Sequence, residues 1–204
     1  MAKLDTYVEL LTSTLGALSN TSTGAASFSI VSSALEVNTG TGSDQGKGGL
    51  ELAYGGDIDE SSIYFEVTAI PTGGRCDITC DDVTESGYRI RLDTTNITVA
   101  RLAAGTPTTI AGPTAWSSAS HKWLRFREAS GTFFIEGAPD SGSGSPGTFS
   151  TLASEATTTS GMDHTAVRLF WFAPNLAGTG TSRYRYLNTQ APATGSPWYY
   201  YAQQ

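Results

Sequence analysis

The chain has 204 residues, of which only 15% are charged, with 23 glycines, 8 prolines and a formal net charge of -7. That length fits one large all-β domain able to bury a core of its own. The negative total argues against general nucleic-acid binding, which needs clustered positive potential, and no apolar run reaches the ~20 residues that span a bilayer.

In chain order, the N-terminus lacks the basic, apolar and small-residue succession of a signal peptide, so the chain is expected to start at Met1. Leu4, Tyr7, Val8, Leu11, Leu15 and Leu18 fall at helical spacing, whereas the threonines and Gly16 favour a short strand, so both remain open. Ser27 to Val37 reads as two strands, Phe28 and Ile30 then Leu35 and Val37, around a Ser-Ser turn. Asn38 to Gly49 reads as a flexible glycine-rich loop. Ser61 to Ile70 is a strand with Ile63, Phe65 and Val67 inward and Tyr64, Glu66 and Thr68 outward, stopped by Pro71-Thr-Gly-Gly.

Cys76 and Cys80 lie in CDITC, followed by Asp81 and Asp82. They are either a mixed sulfur and oxygen metal site or a loop with two free thiols. Without a nearby histidine the first makes a poor zinc site, and the ends of one extended segment are too far apart for a disulfide, so no metal or cofactor is expected. Ser86 to Asp93 places Tyr88, Ile90 and Leu92 inward and Arg89 and Arg91 outward, with Ile97 to Leu102 as its partner. Pro107 to Pro113 reads as a mobile connection.

The clearest signal is Ser120 to Gly137, SHKWLRFREASGTFFIEG. Leu124 and Phe126 point one way and Trp123, Arg125 and Arg127 the other; Glu128-Ala-Ser-Gly131 turns the chain, and Thr132 to Glu136 returns as a second strand. After a loop at Ala138 to Gly147, Thr165 to Phe172 is an inner strand and Arg183 to Leu187 alternates arginine with tyrosine, before the end segment PWYYYAQQ. Strands at short spacing with no helical periods between them predict an all-β antiparallel sandwich.

The succession SFSIVSSALEV, SSIYFEVTAI, SGYRIRLD with NITVARL, HKWLRFREASGTFFIEGAPDSG and TAVRLFWFAPN resembles the concanavalin A-like lectin and glucanase jelly roll. It is particularly similar to the versions in minor tail and other virion proteins of tailed bacteriophages that infect actinobacteria. The resemblance runs from about residue 27 to residue 188, which divides the chain into an N-terminal segment (1–24), a jelly-roll domain (25–188) and an aromatic C-terminal segment (189–204). It implies a structural protein of the virion, in the tail or as a capsid decoration, with other virion proteins as partners and a homo-oligomer as its form.

Glucanases share this fold, so the residues must decide between hydrolysis and binding. The glucanase pattern is Glu-x-Asp-x-x-Glu on one strand; the nearest text, Asp57-Ile-Asp59-Glu60, lacks its first and last carboxylates, and no catalytic residue is assigned. For binding, Tyr64, Trp116, Trp123 and Trp171 are aromatics that could stack on a sugar, unless core packing claims them. The candidate ligand residues are Trp123, Arg125, Arg127, Arg89, Arg91 and Tyr64, toward a host cell-surface glycan. The outward arginines either form a solvated face paired with Glu66, Asp93 and Glu128 or dock an acidic partner. Leu11, Leu15, Trp198, Tyr199, Tyr200 and Tyr201 are candidate docking anchors, with folding back onto the chain's own sandwich as the alternative.

Overall fold

The computed structural model describes residues 2–39, 44–50, 56–142, 144–173 and 180–188. The first strands are β1 (Ala2–Lys3), β2 (Ser19–Asn20), β3 (Ser27–Val31), β4 (Ala34–Asn38), β5 (Gly46–Leu50), β6 (Gly56–Asp57) and β7 (Ser62–Ala69). A meander follows, β8 (Arg75–Asp82), β9 (Gly87–Asp93), β10 (Asn96–Ala103) and β11 (Thr106–Ala115). A second comprises β12 (Trp123–Ala129), β13 (Thr132–Ala138) and β14 (Ser150–Ala156), and β15 (Val167–Ala173) and β16 (Thr181–Arg185) complete the set.

Two sheets result. One has nine strands along the path β1-β6-β15-β8-β9-β10-β11, with β5 also on β15 and β2 on β5; the other has seven, β14-β13-β12-β7-β16-β4-β3. Pairing is antiparallel throughout except between β1 and β6. Two-residue alternation then aims one side of each sheet inward. Ile78, Tyr88, Ile90, Leu92, Leu169 and Trp171 from the larger sheet meet Ile63, Phe65, Leu124, Phe126, Phe133 and Tyr184 from the smaller, all fully buried. Rings lock the layers: Tyr88 stacks on Phe133 at 4.3 Å and Phe65 meets Trp171 edge-on at 5.5 Å.

Three tight turns are explained by backbone chemistry. Ser32 and Ser33 (φ 50° and 60°), Ala104 and Gly105 (φ 47° and 75°) between β10 and β11, and Ser130 and Gly131 (φ 52° and 74°) supply the pair of left-handed residues that a two-residue hairpin requires.

Several sequence expectations need correction. Gly46 to Gly49 are not loop: they form β5, clamped between β2 and β15, where a Cβ at Gly48 would sit 2.2 Å from the Ser19 carbonyl oxygen and one at Gly49 2.1 Å from that of Leu169. Glycine here marks close approach of backbones, not flexibility. Pro107 to Pro113 belongs to β11, an edge strand with one neighbour, which is where proline is tolerated. Cys76 and Cys80 stand on β8 as inward-facing core thiols, both buried and unpaired. Ser150 to Ala156, not predicted as a strand, is β14 at the other edge.

The N-terminal segment is neither a helix nor a detachable arm among the described residues. It runs as two short strands and a 3₁₀ turn at Leu4–Thr6, with Leu4, Leu11 and Leu18 inside the main core and Leu15 half-buried against it. Val8 stays exposed, while the other five of the six apolar residues that suggested a docking stripe are wholly or partly covered by this chain itself. Asn188 fastens them: its Nδ2 donates to the carbonyls of Leu4 at 2.7 Å and Tyr7 at 2.9 Å, while its Oδ1 accepts from Tyr64 N at 2.9 Å. The anchors Trp198, Tyr199, Tyr200 and Tyr201 lie outside the described residues.

Candidate functional site

The predicted ligand residues divide between opposite outer faces. Tyr64, Trp123, Arg125 and Arg127 lie on the outside of the seven-stranded sheet; Arg89 and Arg91 lie on the outside of the nine-stranded one. They cannot form one site.

On the smaller sheet, Trp123 is not available to a ligand. It is fully buried in a second apolar cluster, with Tyr64 at 6.0 Å and Tyr186 at 6.2 Å between ring centroids, and with Leu10, Phe149 and Ala138 around it. Burial raises the Tyr64 pKa, against the opposing charge of Arg125. Arg125 lies 3.8 Å above the Phe149 ring and donates to Glu136 at 2.7 Å; Arg127 lies 4.0 Å above Phe134 and binds both oxygens of the same carboxylate at 3.1 Å. Burial alone would raise the Glu136 pKa, but the two guanidinium partners outweigh it and hold the carboxyl below its usual range. Glu66 is likewise claimed by Lys122 at 3.2 Å and Arg185 at 3.1 Å. Glu128 on this sheet and Asp93 on the other, both expected to pair with arginines, instead accept backbone N–H groups at turns. The charges of this face, Arg125, Arg127, Arg185, Glu66 and Glu136, are paired with one another or with Lys122.

Asp57, Asp59 and Glu60 form a structural turn: Asp57 pairs with Lys3 at 3.1 Å, and Glu60 accepts from Ser130 N at 2.8 Å. Trp116 is half-buried and donates to the His121 carbonyl at 3.2 Å. Trp171 is core.

The nine-stranded sheet presents a different surface. Strand register orders its outward side chains in rows that cross the strands from β5 through β15, β8 and β9 to β10. One row reads Lys47, Phe172, Asp77, Arg91, Thr98; the next reads Gly49, Phe170, Thr79, Arg89, Ala100; a third contains Arg168, Asp81, Gly87 and Leu102. Three small residues in the middle row lower it between its neighbours. A groove of about 280 Å³ lies there, bordered by Asp77, Asp81, Arg89, Arg168, Phe170 and Phe172, with Arg75 at one end and Glu85 at the other.

Its charges are deeply set. Arg91 binds Asp77 in a two-point pair at 2.8 and 3.1 Å, and Arg168 binds Asp81 in the same way at 2.6 and 3.1 Å. Arg168 also lies 5.0 Å above the Phe170 ring. Both aspartates are nearly inaccessible. Burial raises the Asp81 pKa, with Arg168 opposing. Sequence reasoning placed Arg89 and Arg91 outward but missed Asp77, Asp81, Phe170 and Phe172, because β8 was not read as a strand and the aromatics of TAVRLFWF were assigned no face. The alternation Asp77-x-Thr79-x-Asp81 was the available signal. Among the described residues no cluster of three or more His, Cys, Asp or Glu side chains could hold a metal ion, and no described helix is long and apolar enough to cross a membrane.

No family model matches the chain, and no curated protein does. Solved structures do. A Crh5 transglycosylase in complex with NAG is similar with a TM-score of 0.58 at 11% identity, over 89% of this chain and 81% of the other. The lumenal domain of VIP36, in its Ca²⁺/Man3GlcNAc-bound form, gives 0.51 at 12%, over 90% and 86%. The fold is a concanavalin A-like sandwich. A protein of unknown function from Shewanella oneidensis MR-1 shares it, at a TM-score of 0.55 and 15% identity over 89% and 84%. Identities this low establish architecture and leave function to the site.

Proposed function

We propose that this concanavalin A-like domain is a non-catalytic saccharide-binding protein, with the groove across its nine-stranded sheet as the binding site. The observation that carries this reading is the pairing of two aromatic rings, Phe170 and Phe172, with buried and rigidly held charges on one concave strip. Aromatic faces stack on the apolar faces of pyranose rings, and fixed guanidinium and carboxylate groups orient hydroxyls. Two of the similar folds were solved with saccharides bound, which supports the same use here.

Hydrolysis is the competing reading. Asp77 and Asp81 share the groove, but four residues of strand separate their Cα atoms by ~13 Å. Retaining hydrolysis needs carboxyl groups about 5 to 5.5 Å apart and inverting hydrolysis about 6.5 to 9.5 Å. Each aspartate is also held by an arginine. These features favour binding. The resemblance of the strand succession and hairpin to phage virion proteins supports a setting on a tailed-phage particle, in the tail or on the capsid, among other copies of this chain and other virion proteins.

A glycan array followed by calorimetry tests the site: Phe170→Ala or Phe172→Ala should weaken binding at least about tenfold, or about 1.4 kcal/mol, without altering the circular dichroism spectrum. Binding unaffected by both would refute the groove. Release of reducing ends from any bound glycan, abolished by Asp77→Asn or Asp81→Asn, would establish the hydrolase instead. Proteomics of purified virions tests the setting.

A further inference from the structure

The groove is electrically lopsided. At its Phe172 end stand Lys47, Arg75, Arg89 and Arg91, facing Asp77 and Asp93; at its other end stand Arg168, Asp81 and Glu85. Five of the chain's twelve lysines and arginines thus share one outer face of a protein whose net charge is -7.

Among the described residues the cations at the Phe172 end are also under-compensated. Asp77 gives its two-point pair to Arg91, whereas Arg75 and Arg89 reach it only at 3.5 Å. Neither Arg75 Nε nor Arg89 Nε makes a hydrogen bond among the described residues, although both atoms are buried. Burial lowers the Arg89 pKa; Asp77 opposes that, and Arg91 and Arg75 add to it. Asp93 contributes little to this corner, since its Oδ1 accepts from Thr95 N and Asn96 N. Three guanidinium groups therefore converge on one carboxylate, and two of them, Arg75 and Arg89, line the groove together with Phe172. A planar anion answers that arrangement, because guanidinium binds carboxylate through paired, charge-assisted hydrogen bonds.

We infer that the groove selects an acidic saccharide, a sugar ring lying on Phe172 and Phe170 with its carboxylate seated at Arg75 and Arg89. This inference rests on the saccharide reading and adds its chemical class. An acidic peptide of glutamates would satisfy the arginines but would leave the two rings without the apolar face of a sugar to stack on.

Calorimetry with a galacturonic acid tetramer, a neutral galactose tetramer, a glutamate tetrapeptide and inorganic sulfate separates the possibilities. The acidic sugar should bind at least about tenfold more tightly than the neutral one at low salt, and that margin should shrink as added salt screens the charges. Arg75→Gln, at the more exposed guanidinium, should remove most of the margin by weakening the acidic sugar several-fold more than the neutral one. Arg89→Lys is the second variant, retaining charge but losing the two-point geometry, and it should reduce the margin by a smaller factor. Equal binding of both sugars, or a margin unchanged in both variants, would overturn the charge inference and leave the saccharide site standing. A glutamate peptide or sulfate binding as tightly as the acidic sugar would also overturn it, and no binding of either sugar would remove both readings.

Discussion

Trp123 offers a sharp test of how this sandwich is built. It stands on the outer side of the seven-stranded sheet, where a side chain ordinarily meets water, yet it is wholly covered by Tyr64, Tyr186, Phe149 and Leu10. Truncating a buried tryptophan to alanine costs about 3 to 5 kcal/mol. Its Nε1 has no hydrogen-bond partner among the described residues, and losing an orphaned buried donor returns about 1 to 3 kcal/mol. The net expectation for Trp123→Ala is therefore about 2 kcal/mol, at the low end of core truncations, with a Tm lower by roughly 4 to 8 °C. Trp123→Phe keeps the ring and discards the orphaned donor, so it should fall within about 1 kcal/mol of the parent. Urea unfolding followed by far-ultraviolet circular dichroism measures both, with an unchanged m value as the check on two-state behaviour. A Trp123→Ala loss under about 0.5 kcal/mol, the range of solvent-facing positions, would show that the outer aromatic layer does not form.

Glu136→Gln should destabilise by about 1 to 3 kcal/mol by removing the charge shared by Arg125 and Arg127. Because the folded carboxyl is held below its unfolded value, its contribution is present above ~4.3 and disappears as pH falls through the folded pKa; the variant's acid-unfolding curve should be shallower in that window, and an identical curve would contradict the pairing. Gly49→Ala, with its Cβ 2.1 Å from the Leu169 carbonyl oxygen, should cost at least about 1 to 3 kcal/mol, as measured by thermal unfolding, while Gly131→Ala meets no atom within 4 Å and bears only the strain of a positive φ. Deleting residues 2–18 removes Leu4, Leu11 and Leu18 from the core and should yield insoluble protein in a fractionation assay; a soluble product with the parental Tm would restore the view of this segment as an independent docking arm.

Where alternation was regular, the sequence was enough. The inward sets Ile63, Phe65, Val67 and Tyr88, Ile90, Leu92 occupy the core as expected, as do Leu124 and Phe126, because one half-buried sheet face imposes a two-residue period. It failed where a second covering layer was added. Trp123 obeys the outward parity and is buried all the same, since Leu10 and Tyr186 arrive from the two ends of the described chain. Glycine and proline misled in the opposite direction: Gly46 to Gly49 and Pro107 to Pro113 carry loop composition but occupy a clamped strand and a free edge. The groove was half legible. Arg89 and Arg91 announce themselves by alternation, but their carboxylate neighbours depend on the register of β8 against β9, which no local pattern specifies.

The placement of β15 and β16 has a consequence for the order in which the protein can be made. The two meanders, β8 to β11 and β12 to β14, join neighbours in sequence and need only short closures, so they can form as soon as they leave the ribosome. The strands that occupy interior positions in the two sheets, β15 between β8 and β5, and β16 between β7 and β4, are the last of the set to be synthesised. Until residue 173 emerges β5 and β8 each present an unpaired flank, and until residue 185 emerges so do β4 and β7. A nascent chain therefore passes through a stage with open edges on both sheets, and chaperone occupancy or ribosome pausing in that interval should govern its yield more than the stability of the finished fold.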